Sequence, residues 1–402
     1  MNMLCLLFCS FLNNDNTPLV SNPEENGPYR LVFQEDLRFG GSGHGSESLW
    51  LDGQVPVWFD VDGRGHFFVI DVVDSTLLEF NEKGAFVATV AKRGQGPGEY
   101  QNLQGFDFFG DGGAMGFDFS MPVGKFSSYG PGLRFLSTTT VQKPDQVFTR
   151  VHFSQDGRLF YAWYLSFDLE TRKLHFNTGL FNRDFELAMP LSGRDWPQMD
   201  PGKAQSPDYW EGFLAGLLHG FLDRGSHFAR FLSDGRVVVA DATRYELEIW
   251  SQDLKTRELR IKKKYKPASF SEEDRTHLRD FVEAAVLQRA PEAKSVATPQ
   301  VVDRAVEKAD LPKFRNPVAD VLPMEDGHFL VVHQPALGRH GFELHLFDGA
   351  GRSVGAGTFP GGGSFGLFGC RIRFKNGYAY ALEQGEQGEN QMVRYRYLIE
   401  QR

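Results

Sequence analysis

The stretch Phe59-Asp-Val-Asp62-Gly63-Arg-Gly-His-Phe67-Phe-Val-Ile70 sets two apolar runs on either side of an Asp-Gly dipeptide. Such dipeptides favour the positive-φ turns that join antiparallel strands, so the stretch reads as a β-hairpin. The same unit recurs at Asp111-Gly112, Asp156-Gly157, Asp234-Gly235, Asp326-Gly327 and Asn376-Gly377. Six hairpins in one chain of 402 residues decide an all-β class. The composition agrees, because 37 Phe and 44 Gly against 8 Met suit aromatic strands and tight turns.

Successive turns lie 49, 45, 78, 92 and 50 residues apart, and the short spacings suit a four-stranded propeller blade. The first blade reads as strand A near Val57–Val61, B at Phe67–Ile70, C at Thr76–Phe80 and D at Phe86–Val90, with Asn81-Glu-Lys-Gly84 as the C–D turn. The last blade shows strands near Arg371–Phe374, Tyr378–Leu382 and Met392–Leu398, and then the chain ends. Its fourth strand is expected from the other terminus, at Pro28-Tyr29-Arg30-Leu31-Val32-Phe33. That closure leaves no open sheet edge. The expected fold is a six-bladed β-propeller over residues 28–402, its last blade closed by N- and C-terminal strands, behind a leader or flexible segment at 1–27.

The two long spacings hold insertions, at about 192–226 and 266–312. In the first, Trp210, Phe213, Leu214, Leu217, Leu218 and Phe221 recur at helical spacing. The second opens with the capping-box pattern Ser271-Glu-Glu-Asp274 and then sets Leu278, Phe281, Val282, Ala285 and Val286 on one helical face. Each insertion follows a D strand and precedes an A strand. In an up-and-down blade the D–A and B–C connections share one face, so both insertions decorate the same face. Their apolar stripes are expected to pack down on the propeller.

With these elements in place, the chain resembles the bacterial six-bladed propeller proteins with NHL-like repeats, over most of residues 29 to 400. The most specific residues are Gly94-Gln-Gly-Pro-Gly-Glu-Tyr100, matching a G-x-G-P-G-E-aromatic stretch, and Leu311-Pro-Lys-Phe314 before a blade. The resemblance implies an exported propeller and brings no catalytic residues. The glycines of residues 94–98 are not a dinucleotide loop, because Pro97 and Gln101-Asn102-Leu103 lead into a strand rather than a helix. Gly361-Gly-Gly363 fails the same test, and both read as turns between blades.

A net charge of -9 argues against a nucleic-acid partner. The run Lys262-Lys263-Lys264 reads as the solvated outer strand of a sheet, where lysines discourage edge pairing. Met3 to Leu12 is apolar but too short to span a membrane. It resembles the h-region of an export signal, and Leu6-Leu7-Phe8-Cys9-Ser10 resembles a poor lipoprotein box that would place a lipid anchor at Cys9. The alternative is a misplaced start codon that truncates the leader. Cys370 then has no partner among the 3 cysteines, so no disulfide framework or thiol metal site exists.

Counting seven residues from each turn gives Asp118, Trp163, Asp241, His333 and Glu383, with Asp71 at the equivalent place in blade 1. These positions end strand B, on the face that carries the insertions. For Asp71, Asp118 and Asp241 a local turn hydrogen bond is the expected role. His333 and Glu383 depart from that pattern and are the candidate ligand-binding pair, with Arg93, Arg244, Arg339 and His340 on nearby loops. Two functions follow. One is an exported, non-catalytic, monomeric propeller that binds a peptide, glycan or protein partner at this face, with no cofactor. The other is a metal-dependent lyase or lactonase with a divalent cation at the channel mouth and His333 and Glu383 among its ligands. A lone histidine in the ring favours binding over catalysis.

Overall fold

A computed structural model describes residues 17–40, 58–71, 74–120, 123–143, 145–168, 170–171, 173–195, 197, 200–223, 227–283, 295–334, 341–361, 365–366, 369–385 and 389–402. Its strands form the six blades of a β-propeller. Blade 1 comprises A (Phe59–Val61), B (Phe67–Asp71), C (Thr76–Phe80) and D (Phe86–Ala91), each antiparallel to the next. Blades 2 to 5 repeat the arrangement over residues 103–142, 146–195, 227–263 and 320–359. The A–B turns use the predicted glycines, with φ of 82° at Gly112, 64° at Gly157, 87° at Gly235, 86° at Gly327 and 75° at Gly377. In blade 1 the positive φ falls on Gly65, because that turn is longer by two residues.

Blade 6 contains Ile372–Lys375, Tyr378–Gln384 and Asn390–Gln401, and its outer strand is Tyr29–Gly40. The closing register runs from Tyr29 opposite Gln401 to Gly40 opposite Gln391. Tyr29–Leu31 also pair in parallel with Gly355–Gly357 of blade 5. A strands of neighbouring blades touch at the junctions 1–2, 2–3, 4–5, 5–6 and 6–1, whereas the A strand of blade 4 meets strands C and D of blade 3. The core lies between blades, where apolar residues from facing sheets interlock.

Three sequence expectations change. Residues 19–22, placed in a leader or flexible segment, form a strand parallel to the outer strand of blade 4, Leu19 opposite Arg260 and Asn22 opposite Lys263. The lysine run is therefore not a solvated edge. Lys263 is buried, its ammonium donating to the carbonyls of Pro23, Glu24 and Glu25, while Lys262 pairs with Glu246 at 2.8 Å. The third change concerns the insertions, which carry helices α1 (Pro207–Asp223), α2 (Glu272–Phe281) and α3 (Pro299–Lys308). Their apolar stripes bury chiefly against one another. Trp210, Leu214 and Leu218 of α1 meet Leu278 of α2 and Val302, Ala305 and Val306 of α3 in a core of their own. Three short amphipathic helices adjacent in space hide more apolar area together than each would against a polar loop face. The predicted capping box is present, with the Ser271 hydroxyl and Asp274 carboxylate each accepting the other's backbone N–H. Ala285 and Val286, like residues 1–16, lie outside the described residues.

Candidate functional site at the insertion-bearing face

The Gly94–Tyr100 stretch closes on itself. The Gly94 N–H donates to the Tyr100 carbonyl, the Gly96 N–H donates to the Glu99 carboxylate, and the buried Tyr100 hydroxyl meets that of Tyr129 at 2.7 Å. The backbone donor that an anion would use thus faces a carboxylate of the same loop.

The aspartates of the seventh-position ring make short-range contacts. The Asp71 carboxylate accepts from the Asp74 N–H, and that of Asp241 accepts from the N–H and hydroxyl of Thr243. Asp118 reaches further, accepting from the N–H groups of Gln101 and Asn102, and so fixes the link between blades 1 and 2. Arg244 is exposed, 3.9 Å from Asp241, and Arg93 is an exposed loop residue. Arg339 and His340 lie outside the described residues.

His333 and Glu383, the proposed pair, keep separate company, sharing no hydrogen-bonding partner among the described residues. Glu383 is buried, accepts from the Tyr395 hydroxyl at 2.5 Å and pairs with Arg38 of the closing strand at 3.2 Å. Its carboxylate also occupies the space that a side chain at Gly361 would need. These contacts join the last blade to its closing strand, which is a structural duty.

His333 enters a different cluster, at the boundary of blades 4 and 5. It is 3% exposed at the end of strand B of blade 5, with its Nδ1 2.7 Å from the Pro317 carbonyl. A carbonyl only accepts, so Nδ1 carries the proton and Nε2 keeps a lone pair. That Nε2 has no hydrogen-bond partner among the described residues. Tyr265 stacks on the ring at 4.2 Å, and the His345 ring lies edge-on at 4.2 Å. His345 is buried in strand C, its Nδ1 2.9 Å from the Tyr245 hydroxyl and its Nε2 3.0 Å from the half-exposed Glu343 carboxylate. Burial pushes His333 down to about 3 and lowers His345, so both imidazoles are neutral at pH 7, while the hydrogen bond from His345 lowers Glu343. Tyr265 and Pro317 flank the second insertion, whose two roots therefore touch His333. Glu343 and His345 were not read from the sequence, although a histidine inside the apolar run Leu344-His-Leu346-Phe347 was a visible signal.

The channel presents a second polar set, also unread. Each A strand places one polar residue between apolar neighbours: Asp60, Asp107, His152, Arg230, Asp320 and Arg373. Asp60 accepts from the Phe108 N–H of blade 2, Asp107 from the Phe153 N–H of blade 3, and Arg230 pairs with Asp320 of blade 5 at 2.8 Å. The ring fastens blade to blade. The His152 side chain is 22% exposed within this ring, where desolvation pushes it down to about 4 against the opposing pull of Asp107, with Arg373 and Arg230 lowering it further. The unfolded chain takes up a proton below about pH 6.5 that the folded chain refuses until about pH 4. Stability should therefore be lost as the pH falls from about 6.5 to about 4, by at most about 1.4 kcal/mol per pH unit from this group. Urea unfolding at pH 7 and pH 4.5 is expected to show His152→Gln losing about 2 to 3 kcal/mol less than wild type. Equal losses in the two proteins would remove His152 from the account.

Blade 3 differs from its neighbours in length. Its B and C strands, Leu159–Asp168 and Lys173–Asn182, have 10 residues each, against 5 for the B and C strands of blade 4. Its A–B turn is level with the C–D turn of blade 4, since the Gln252 amide donates to the Asp156 carboxylate at 2.7 Å. The extra residues therefore project at the insertion-bearing face, by roughly 16 Å at about 3.3 Å per residue. Across this hairpin Arg150 lies over Trp163 (5.3 Å), Trp163 meets Phe176 edge-on (5.6 Å), and Arg194 lies over Phe176 (5.0 Å). Phe167, near the tip, is exposed.

Among the described residues no helix is long and apolar enough to cross a membrane. A family model, DUF5128, described as a 6-bladed beta-propeller, matches residues 60–187. No curated protein matches the sequence. The chain is similar in structure to a member of the DUF4221 family from Bacteroides vulgatus, at 10% identity over 94% of this chain and 100% of that one, with a TM-score of 0.48. It is also similar to virginiamycin B lyase from Staphylococcus aureus, at 7% identity over 91% of this chain and 99% of that one, with a TM-score of 0.41. At such identity nothing that those proteins bind or do transfers here, and what the matches describe is a chain folded as a six-bladed β-propeller.

Proposed function

We propose that the protein is an exported, non-catalytic, monomeric β-propeller that binds a peptide, glycan or protein partner at the face carrying its B–C loops and helical insertions. The observation that carries this reading is the Arg150–Trp163–Phe176–Arg194 ladder on the projecting hairpin of blade 3. Half-exposed Trp and Arg side chains are the residue types that dominate binding energy at interfaces. Here each arginine is already oriented by an aromatic face, so little rotamer freedom remains to be lost on binding. The exposed Phe167 extends the apolar surface towards the hairpin tip.

The test is a screen of peptide and glycan arrays followed by surface plasmon resonance on three proteins. Trp163→Ala is expected to weaken binding of any hit by about 30-fold or more, the loss typical of a hot-spot residue. Arg158→Ala, on the opposite face, should leave the affinity unchanged. Hits that ignore Trp163 and depend on Arg158 would place recognition on the other face and defeat the proposal.

A further inference from the structure

We propose that His333, Glu343 and His345 form a binding site for one divalent transition-metal ion of the zinc class, held by two imidazoles and a carboxylate. The ligand atoms of these three side chains lie within 4.8 Å of one another. A tetrahedral zinc ion with ligand bonds of about 2.0 to 2.2 Å needs its donors roughly 3.3 to 3.6 Å apart. The difference is small. Glu343, whose side chain is 48% exposed, can close it by rotation, and it leaves the fourth position open to solvent.

The groups that would orient the two imidazoles are already in place. The Pro317 carbonyl holds the Nδ1 proton of His333 and leaves its Nε2 lone pair available, the arrangement that orients a metal-bound histidine. Tyr265 and the His345 ring fix the plane of that imidazole from two sides. When a metal takes the place of the proton that Nε2 of His345 shares with Glu343, that proton can sit on Nδ1 instead, where the Tyr245 hydroxyl accepts it, leaving Nε2 as a donor atom to the metal.

A purely structural role accounts for His345 and Glu343, which bond each other, but not for His333. An unpartnered acceptor on a side chain 3% exposed costs free energy with no return unless something occupies it. The ligand set also selects the ion. Calcium takes six to eight oxygen ligands and magnesium an octahedron of oxygens, whereas two imidazoles with one carboxylate suit zinc and its neighbours. Lys263, whose charge acts on all three groups, is held by three backbone carbonyls beside Glu24 and Glu25, whose charges offset it. The inference stands apart from the partner-binding role above, because its probe is the metal alone.

The full chain is stripped with a chelator, equilibrated with Zn2+ and examined by elemental analysis and by competition with a chromophoric chelator. One ion per chain is expected, and excess Mg2+ or Ca2+ should not displace it. Glu343→Gln, at a half-exposed position that spares the fold, should weaken binding at least about tenfold and alter the visible spectrum of the Co2+-loaded protein. His66→Ala is the control, since His66 lies 2.7 Å from Glu79 and 3.6 Å from Glu82 on the opposite face. No stoichiometric ion, wild-type affinity in Glu343→Gln, or loss of the ion in His66→Ala would each overturn the site. Paramagnetic broadening of the His333 and His345 ring signals by Co2+ would support it without a core substitution, and sharp signals in the loaded protein would overturn it.

Discussion

A chain begun at residue 41 is expected to lose the cooperative propeller altogether and to aggregate. The removed strand pairs along its length with Asn390–Gln401, the longest ladder of the last blade. Its side chains also serve three blades. Phe33 packs edge-on against Phe359 of blade 5 and Tyr395 of blade 6, and Phe39 packs on Phe67 of blade 1 at 4.8 Å. Asp36 binds Arg394 and Arg396, while Arg38 satisfies the buried Glu383. Its loss strands that carboxylate, exposes Met392 and Val393, and opens a long unpaired edge. Buried aromatic side chains are each worth about 1.5 to 3 kcal/mol. Their sum, with a stranded charge, is comparable with the roughly 5 to 15 kcal/mol that holds a typical domain together. Size exclusion and circular dichroism decide the matter. A monomer that melts cooperatively within about 5 °C of the full chain would show that the ring does not need this strand. A chain begun at residue 24 loses the added edge strand of blade 4, the Asn22 bonds to Gly351 and Ser353 and the Pro23 carbonyl on Lys263, but it keeps the closing strand and should still melt cooperatively.

How much of this was legible depends on the range of the interactions. The A–B turns were readable because an Asp-Gly or Asn-Gly dipeptide needs only its own residues to adopt positive φ. The closing strand was readable by counting, since a last blade with three strands demands a fourth. The capping box of α2 is likewise local, four residues long. The strand Leu19–Asn22 was not readable, because its partner lies some 240 residues away and a parallel pair leaves no turn signal. The same distance hid the environment of Lys263. Glu383 departed from the aspartate pattern for a reason that only the ring shows: Arg38 and Tyr395 reach it from the closing strand and its neighbour. His333 was singled out by position, but its companions lie in another strand and another blade, 100 residues separating Tyr245 from His345. The channel ring carried a signal that went unread, a charge or histidine flanked on both sides by apolar residues in each A strand.

That ring supports the second large expectation. Asp320→Ala should destabilise the fold by about 3 to 5 kcal/mol, the usual cost of breaking a buried pair from one side. Asp320 is 2% exposed, and its Oδ1 accepts both from Arg230 at 2.8 Å and from the backbone N–H of Val321. Removing the carboxylate leaves the Arg230 guanidinium over the rings of Tyr161 and Phe228, in a ring that already holds Arg373. The aromatic faces return only about 0.5 to 2 kcal/mol of that loss. Replacing the pair together, as Arg230→Met with Asp320→Leu, should cost far less, because the buried carboxylate and the guanidinium it holds leave together and both replacements suit an apolar strand. Urea unfolding of the two single variants and the double variant gives the coupling energy directly. If Asp320→Ala and the double variant were equally unstable, the damage would come from packing at the A strands. If Asp320→Ala were neutral, the blade 4 to blade 5 contact would not depend on charge at all, and the hydrogen bonds from Asp60 and Asp107 to their neighbouring blades would be the fastenings that matter.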